Sequence, residues 1–135
     1  MRVTLVTLLA VTAVISGGCG AVHLVRAGTA TQAAAGKKLF QAKCGACHTL
    51  ADAGTTGTVG PNLDDAFLYV KEQGFKEQSI RDLIRGQIAY AESNPGTGTP
   101  TAPNPGMPAN LVNGQDASDV AIYVAKCAGV KSCGV

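Results

Sequence analysis

Apolar and polar positions along the chain separate into four stretches with helical spacing and two long stretches with none. Over residues 33–43, Leu39 and Phe40 share a stripe from which Lys37, Lys38 and Lys43 are excluded, and the alanines around them favour helix. This predicts a first helix that ends near Cys47. Within residues 50–63 the run from Gly54 to Pro61 has neither period nor charge and reads as a loop, without the Lys-Ser/Thr that a phosphate loop needs. Residues 64–73 predict a short helix broken at Gly74. Ser79 with Asp82 three residues on has the form of a capping box, and Ile80, Leu83, Ile84 and Ile88 follow at helical spacing, which predicts a helix of about ten residues. Five of the six prolines then fall within residues 95–108, so residues 90–114 form a long stretch without secondary structure. The last helix is expected to start at Asp116, with Asp119 completing a box-like start and Val120, Tyr123, Val124 and Cys127 forming its apolar stripe. No stretch alternates with period two and no repeat recurs, so the fold class is all-α.

Ahead of these helices, Met1 and Arg2 precede thirteen uncharged residues, 3–15, the short basic and apolar regions of an export signal. Ser16-Gly17-Gly18-Cys19 resembles a bacterial lipobox, in which the leader is cut before a cysteine that becomes acylated, although Ser16 stands where an aliphatic residue is usual. A cut after Ala21, or retention of residues 3–25 as an uncleaved helix, are the alternatives. The expected division is an export signal or anchor at 1–18, a flexible spacer at 19–33, one domain at 34–128 and a tail at 129–135. Lipidation of Cys19 would tether that domain to a membrane surface.

Composition changes the picture in one respect. Six aromatic residues in 135, none of them tryptophan, leave a core that is either aliphatic throughout or filled by a bound cofactor. Seventeen glycines without a collagen period point to many loops around a compact domain. A formal charge of +2, with no basic stripe interleaved with aromatics, gives no footprint for nucleic acid. Lys37, Lys38 and Lys43 read as a solvated helix face or as part of a docking patch for an acidic partner.

The chemistry lies in Cys44-Gly45-Ala46-Cys47-His48, a Cys-x-x-Cys-His run of the kind that attaches c-type haem. Thiols at i and i+3 share one face of a helical turn, where they can add to two vinyl groups on one porphyrin edge. The adjacent imidazole is then held beneath the iron at very high effective concentration. A thioredoxin-like pair would need a strand before it, whereas a helix precedes it here. A four-thiolate zinc site with Cys127 and Cys133 would need a closer second pair. Counting then addresses the sixth iron position. Apart from His48 the only histidine is His23, beside the leader; apart from Met1 the only methionine is Met107, in the stiff run Pro105-Gly106-Met107-Pro108. A second protein ligand of the usual kind is therefore Met107.

With Gly60-Pro61-Asn62-Leu63 after the Cys-x-x-Cys-His run, Met107-Pro108-Ala109-Asn110 further on, and Gly36, Phe40 and Tyr123 in the first and last helices, the chain resembles a class I c-type cytochrome over about residues 34–128. The resemblance implies a small fold of three to five helices wrapped around one covalent haem c, with a long Pro/Gly-rich distal loop. It implies that the terminal helices cross near Gly36, Phe40 and Tyr123, and that the Pro61 carbonyl receives the His48 ring N–H. Two features depart from the family pattern: the length of the loop over 90–106, and the cysteines Cys127 and Cys133. Their separation of six and an oxidising compartment suggest a disulfide, worth about 2 kcal/mol for so short a loop.

The expected function is that of an exported, monomeric single-electron carrier on the outer face of a bacterial membrane or in the periplasm. Its partners would be redox-protein donors and acceptors, with the membrane reached through an N-terminal lipid or helix. A haem enzyme or gas sensor with a displaceable Met107, or a small subunit of an oxidoreductase complex, are the alternatives. Because the cofactor supplies the missing aromatic core, the apoprotein should show little ordered structure by circular dichroism; a native-like apoprotein spectrum would contradict this reading.

Overall fold

The computed structural model describes residues 28–91 and 106–135. The expected export segment, Cys19, His23 and the prolines at 95, 100, 103 and 105 lie outside the described residues. Four α-helices carry the fold: α1 (Ala30–Lys43), α2 (Leu63–Glu72), α3 (Glu77–Ala89) and α4 (Gly114–Cys127). Between α1 and α2 a two-residue antiparallel hairpin, β1 (Thr49–Leu50) and β2 (Thr55–Thr56), encloses a 3₁₀ turn at Ala51–Ala53. No helix among the described residues is long and apolar enough to cross a membrane.

Helix α1 starts three residues earlier than its apolar stripe suggests, so the end of the expected spacer is helical. Thr29 caps it reciprocally: the Gln32 N–H donates to Thr29 Oγ1 at 3.1 Å and the Thr29 N–H donates to Gln32 Oε1 at 3.1 Å. The expected starts of α3 and α4 are corrected. Ser79 lies inside α3, which begins after Lys76 with no side-chain cap, and Asp82 instead accepts from Gln78 Nε2 at 2.9 Å. Asp119 is not part of a helix start; it is buried within α4, accepting from Gln115 Nε2 at 2.7 Å, and α4 begins at Gly114. In both cases a three-residue spacing that fits a box, Ser79 with Asp82 and Asp116 with Asp119, also fits neighbours one turn apart along a helix. The hairpin was not expected either, because two-residue strands are too short to show alternation.

Helices α1 and α4 cross almost backbone to backbone. A Cβ on Gly36 would stand 2.0 Å from the Asp119 carbonyl oxygen, so only glycine fits there. Above the crossing the Phe40 and Tyr123 rings meet at a 5.9 Å centroid distance and 60°, the tilted arrangement that aromatic quadrupoles favour. Helix α3 lays Ile80, Ile84 and Ile88 into the same core as Val120 and Val124 of α4.

Helix α2 has no fully buried residue and is held by polar ties. Asn62 caps it by accepting from the Asp64 N–H at 3.0 Å. The Asp64 carboxylate then accepts from the backbone N–H of Ala51 at 2.7 Å and of Gly129 at 2.8 Å, fastening the hairpin to the C-terminal tail. At its other end Lys71 Nζ donates to the carbonyls of Ala128 at 2.6 Å and Lys126 at 3.3 Å, a cation at the negative end of α4. Gly74, with φ 80°, ends the helix as expected.

The Gly36 contact predicts that Gly36→Val costs about 3 kcal/mol or more, because backbone is the obstacle and cannot rotate away. Gly86→Ala, where a Cβ meets nothing within 4 Å, should instead be neutral or stabilising. Denaturant unfolding of the two variants against the parent measures both.

Candidate functional site

The last turn of α1 runs into the Cys-x-x-Cys-His segment without a break in its backbone bonding. The N–H groups of Cys44 and Gly45 both donate to the Phe40 carbonyl, and those of Cys47 and His48 both donate to the Cys44 carbonyl at 3.0 Å. This extra turn puts both thiols on the wall of one cavity of about 480 Å³. Cys44 is buried and Cys47 exposed. Burial, with the neighbouring Cys47 adding to it, pushes the Cys44 thiol up to about 11.

His48 lines the same cavity, and two backbone contacts fix its ring. Its Nδ1 lies 2.9 Å from the Pro61 carbonyl. A carbonyl only accepts, so Nδ1 carries the proton and Nε2 keeps its lone pair free for a metal. Gly60 packs against the ring, where a Cβ would come 2.4 Å from Cε1. The segment is held in place by the Gly60 N–H donating to the Cys47 carbonyl at 2.8 Å and by Thr55 Oγ1 donating to the His48 carbonyl at 2.9 Å.

Met107 lines the cavity from the segment that leads into α4. Its position is set by Asn110, whose backbone adopts φ 57° and whose N–H donates to the Ile88 carbonyl at 2.7 Å, tying the segment to the end of α3. Of the expected site residues, Cys44, Cys47, His48, Pro61 and Met107 thus come together around one cavity. Cys127 and Cys133 do not join them: the structure pairs these two with each other, their Cα atoms 5.3 Å apart. The four-thiolate arrangement does not assemble. Cys19 lies outside the described residues.

The cavity suits a large, flat, apolar cofactor. Leu63, Phe67, Ile84, Ile88, Val120 and Val124 line it with carbon, and His48, Lys43 and Gln87 are the polar side chains on its wall besides the thiols. Two thiols, an imidazole with a free Nε2 and a thioether are the donor set of covalent haem with two protein ligands. The chain matches the Cytochrome c family over residues 33–128.

It belongs to that family.

Covalent haem c is accordingly the cofactor of this cytochrome, and haem-based electron transfer its chemistry. Among solved structures, the crystal structure of the c-type cytochrome SorU from Sinorhizobium meliloti is similar at 28% identity, covering 74% of this chain and 94% of that one with a TM-score of 0.49. No curated protein matches.

One part of the site gave no signal in the sequence. Asp52, in the 3₁₀ turn, has a side chain only 4% exposed, yet it is the hub behind the helix crossing. It accepts from Tyr123 OH at 2.8 Å and from the Cys133 N–H at 2.9 Å, and pairs with Lys37 Nζ at 3.1 Å. Lys37 is thereby engaged within the domain, so Lys38 and Lys43 remain as the exposed cations of α1. Burial alone would raise the Asp52 carboxyl, but the bonds from Cys133, Tyr123 and Lys37 outweigh it and hold the group below its ordinary value. Burial and the facing carboxylate push the Tyr123 hydroxyl the other way, well above its own.

A depressed carboxyl stabilises the fold above its unfolded-state pKa and loses that contribution as pH falls through the folded value. Asp52→Asn should therefore cost about 2 kcal/mol near pH 7. The difference from the parent should shrink as pH falls below about 4, the ordinary Asp value. Urea unfolding of both proteins across pH 3–7 reads the effect, and a pH-independent difference would refute it.

Proposed function

We propose that this cytochrome is a monomeric one-electron carrier that works outside the cytoplasm in a bacterial respiratory or related chain, between a redox-protein donor and acceptor. Cys44 and Cys47 would attach the haem through thioether bonds, and His48 and Met107 would be the protein ligands of its iron. The observation that carries this reading is that both thiols, the imidazole and the only methionine besides Met1 line one apolar cavity. When bound, haem supplies an iron that changes by one charge between its ferric and ferrous states.

The rest is the work of the chain. Pro61 and Gly60 hold the His48 ring in the tautomer and orientation of a ligand, which strengthens its donation. Met107, on a segment clamped by Asn110, would supply the second protein ligand, and small molecules would have to displace it before they could bind. A thioether ligand raises the potential relative to a second imidazole. The aliphatic walls exclude water and keep the dielectric low around the change of charge. Export fits the N-terminal apolar segment and a disulfide between Cys127 and Cys133, which an oxidising compartment preserves. The membrane would be reached through lipid on Cys19 or through retention of the apolar N-terminal segment, and assembly as a small subunit of an oxidoreductase would use the same chemistry.

Met107→Ala tests the ligand assignment. The ferrous parent should not bind carbon monoxide and its ferric form should show a sulfur-to-iron charge-transfer band. The variant should lose that band, bind carbon monoxide readily and show a lower potential while keeping its covalent haem. Rapid carbon monoxide binding by the parent itself would move the function towards a haem enzyme or gas sensor.

A further inference from the structure

We propose that the groove between α2 and α3 is a second electron port, used by a redox protein that presents an apolar side chain within a basic surround. The proposal rests on the electron-carrier reading above. Tyr69, Phe75 and Leu83 are 66, 59 and 49% exposed. Together with Val70, Ser79 and Ile80 they line an open groove of about 450 Å³ between the two helices. Val70 and Leu83 also line the haem cavity, so a single layer of side chains separates the groove from that cavity. An apolar side chain seated in this groove would stand one layer from the haem without passing the Cys47 edge. Exposed aromatic and aliphatic side chains gathered at one spot are a mark of an interaction site rather than of ordinary surface.

Charge identifies the occupant. Glu77 is balanced by Lys71, and the other exposed acids of the two helices are Asp65 and Glu72, which lie one turn either side of Tyr69, and Asp82, one turn from Ser79, against the exposed cations Lys76 and Arg85. Lys71 is turned to the carbonyls at the end of α4, and Arg81 is buried and donates to Gln78. Helix α1 is opposite in character: it carries no acid, and its exposed Lys38 and Lys43 lead to the exposed Cys47. The two approaches to the cofactor therefore differ in sign, cationic beside Cys47 and anionic at the groove. A carrier meets its donor and its acceptor in turn, and faces of opposite sign steer differently charged partners to different places. The partner at the groove is thus a basic one with an apolar projection.

The test uses the haem-loaded ferrous protein in stopped flow with two outer-sphere oxidants: tris(phenanthroline)cobalt(III), an apolar cation, and ferricyanide, a polar anion. Each takes one electron, giving cobalt(II) or ferrocyanide, with no bond made or broken in the protein. Two variants change the groove, Tyr69→Ser with Phe75→Ser, and Ser79→Lys, which places a cation inside it. Both should slow the cobalt reaction by about tenfold while ferricyanide stays within about twofold of the parent, since local charge and shape act on the probe that uses that face. Lys38→Glu, outside the cavity, should reverse the pattern. An unchanged cobalt rate in both groove variants, or equal slowing of both oxidants, would overturn the port. Absence of covalent haem from the parent would overturn the carrier reading itself, and is seen in its spectrum before any rate is measured.

Discussion

The close approach of α1 and α4 at Gly36 sets the frame for the cofactor site. With no side chain at position 36, the Asp119 carbonyl rests against α1, and the other contacts at the crossing follow from that distance. Phe40 meets Tyr123, Tyr123 reaches Asp52, and Asp52 gathers Lys37 and the Cys133 N–H. Because the Cys-x-x-Cys-His turn continues the backbone bonding of α1, both thiols and His48 inherit their position from this crossing. Val120 and Val124 of α4 then face them across the cavity. A single missing methyl group therefore sets how closely the Cys-x-x-Cys-His turn approaches the part of the cavity wall that α4 supplies.

The polar ties supply what a small core cannot. Six aromatic residues in the whole chain, of which only Phe40 and Tyr123 are fully buried among the described residues, leave the interior mainly to aliphatic side chains and the cofactor. Around this interior Asp52, Asp64 and Lys71 act as cross-braces between segments far apart in sequence. Each is a charged group whose partners include backbone, and such bonds are stronger than neutral ones. They hold α2 in place even though that helix buries no residue fully.

The chemistry was more legible in the sequence than the bracing. Cys44, Cys47 and His48 form a local motif, Met107 is the one methionine apart from Met1, and the stripes of α3 and α4 repeat with the helical period, so short-range rules and simple counting reach all of them. Besides nearer partners, Asp52 bonds to Tyr123 and Cys133, 71 and 81 residues away, and Asp64 to Gly129, 65 away, and nothing near either residue announces those bonds. Helix starts fell between these extremes. The Thr29 and Gln32 box is written in the sequence, but it sits in a stretch whose Ala, Thr and Gly content also describes a spacer. Ser79 with Asp82 shows the converse, a cap-like pair in the interior of a helix. Two-residue strands lie below the length at which alternation means anything.

Joining the first helix to the last also imposes an order on synthesis and folding. Gly36 cannot find Asp119 until the chain between them has been made, and such contacts of high sequence separation close late. The cavity wall formed by Val120 and Val124 therefore arrives after the turn that bears Cys44, Cys47 and His48. A chain emerging from its N-terminus sets out its two thiols and its imidazole while the opposite wall is still missing, and closing the domain is the event that encloses whatever has by then been attached.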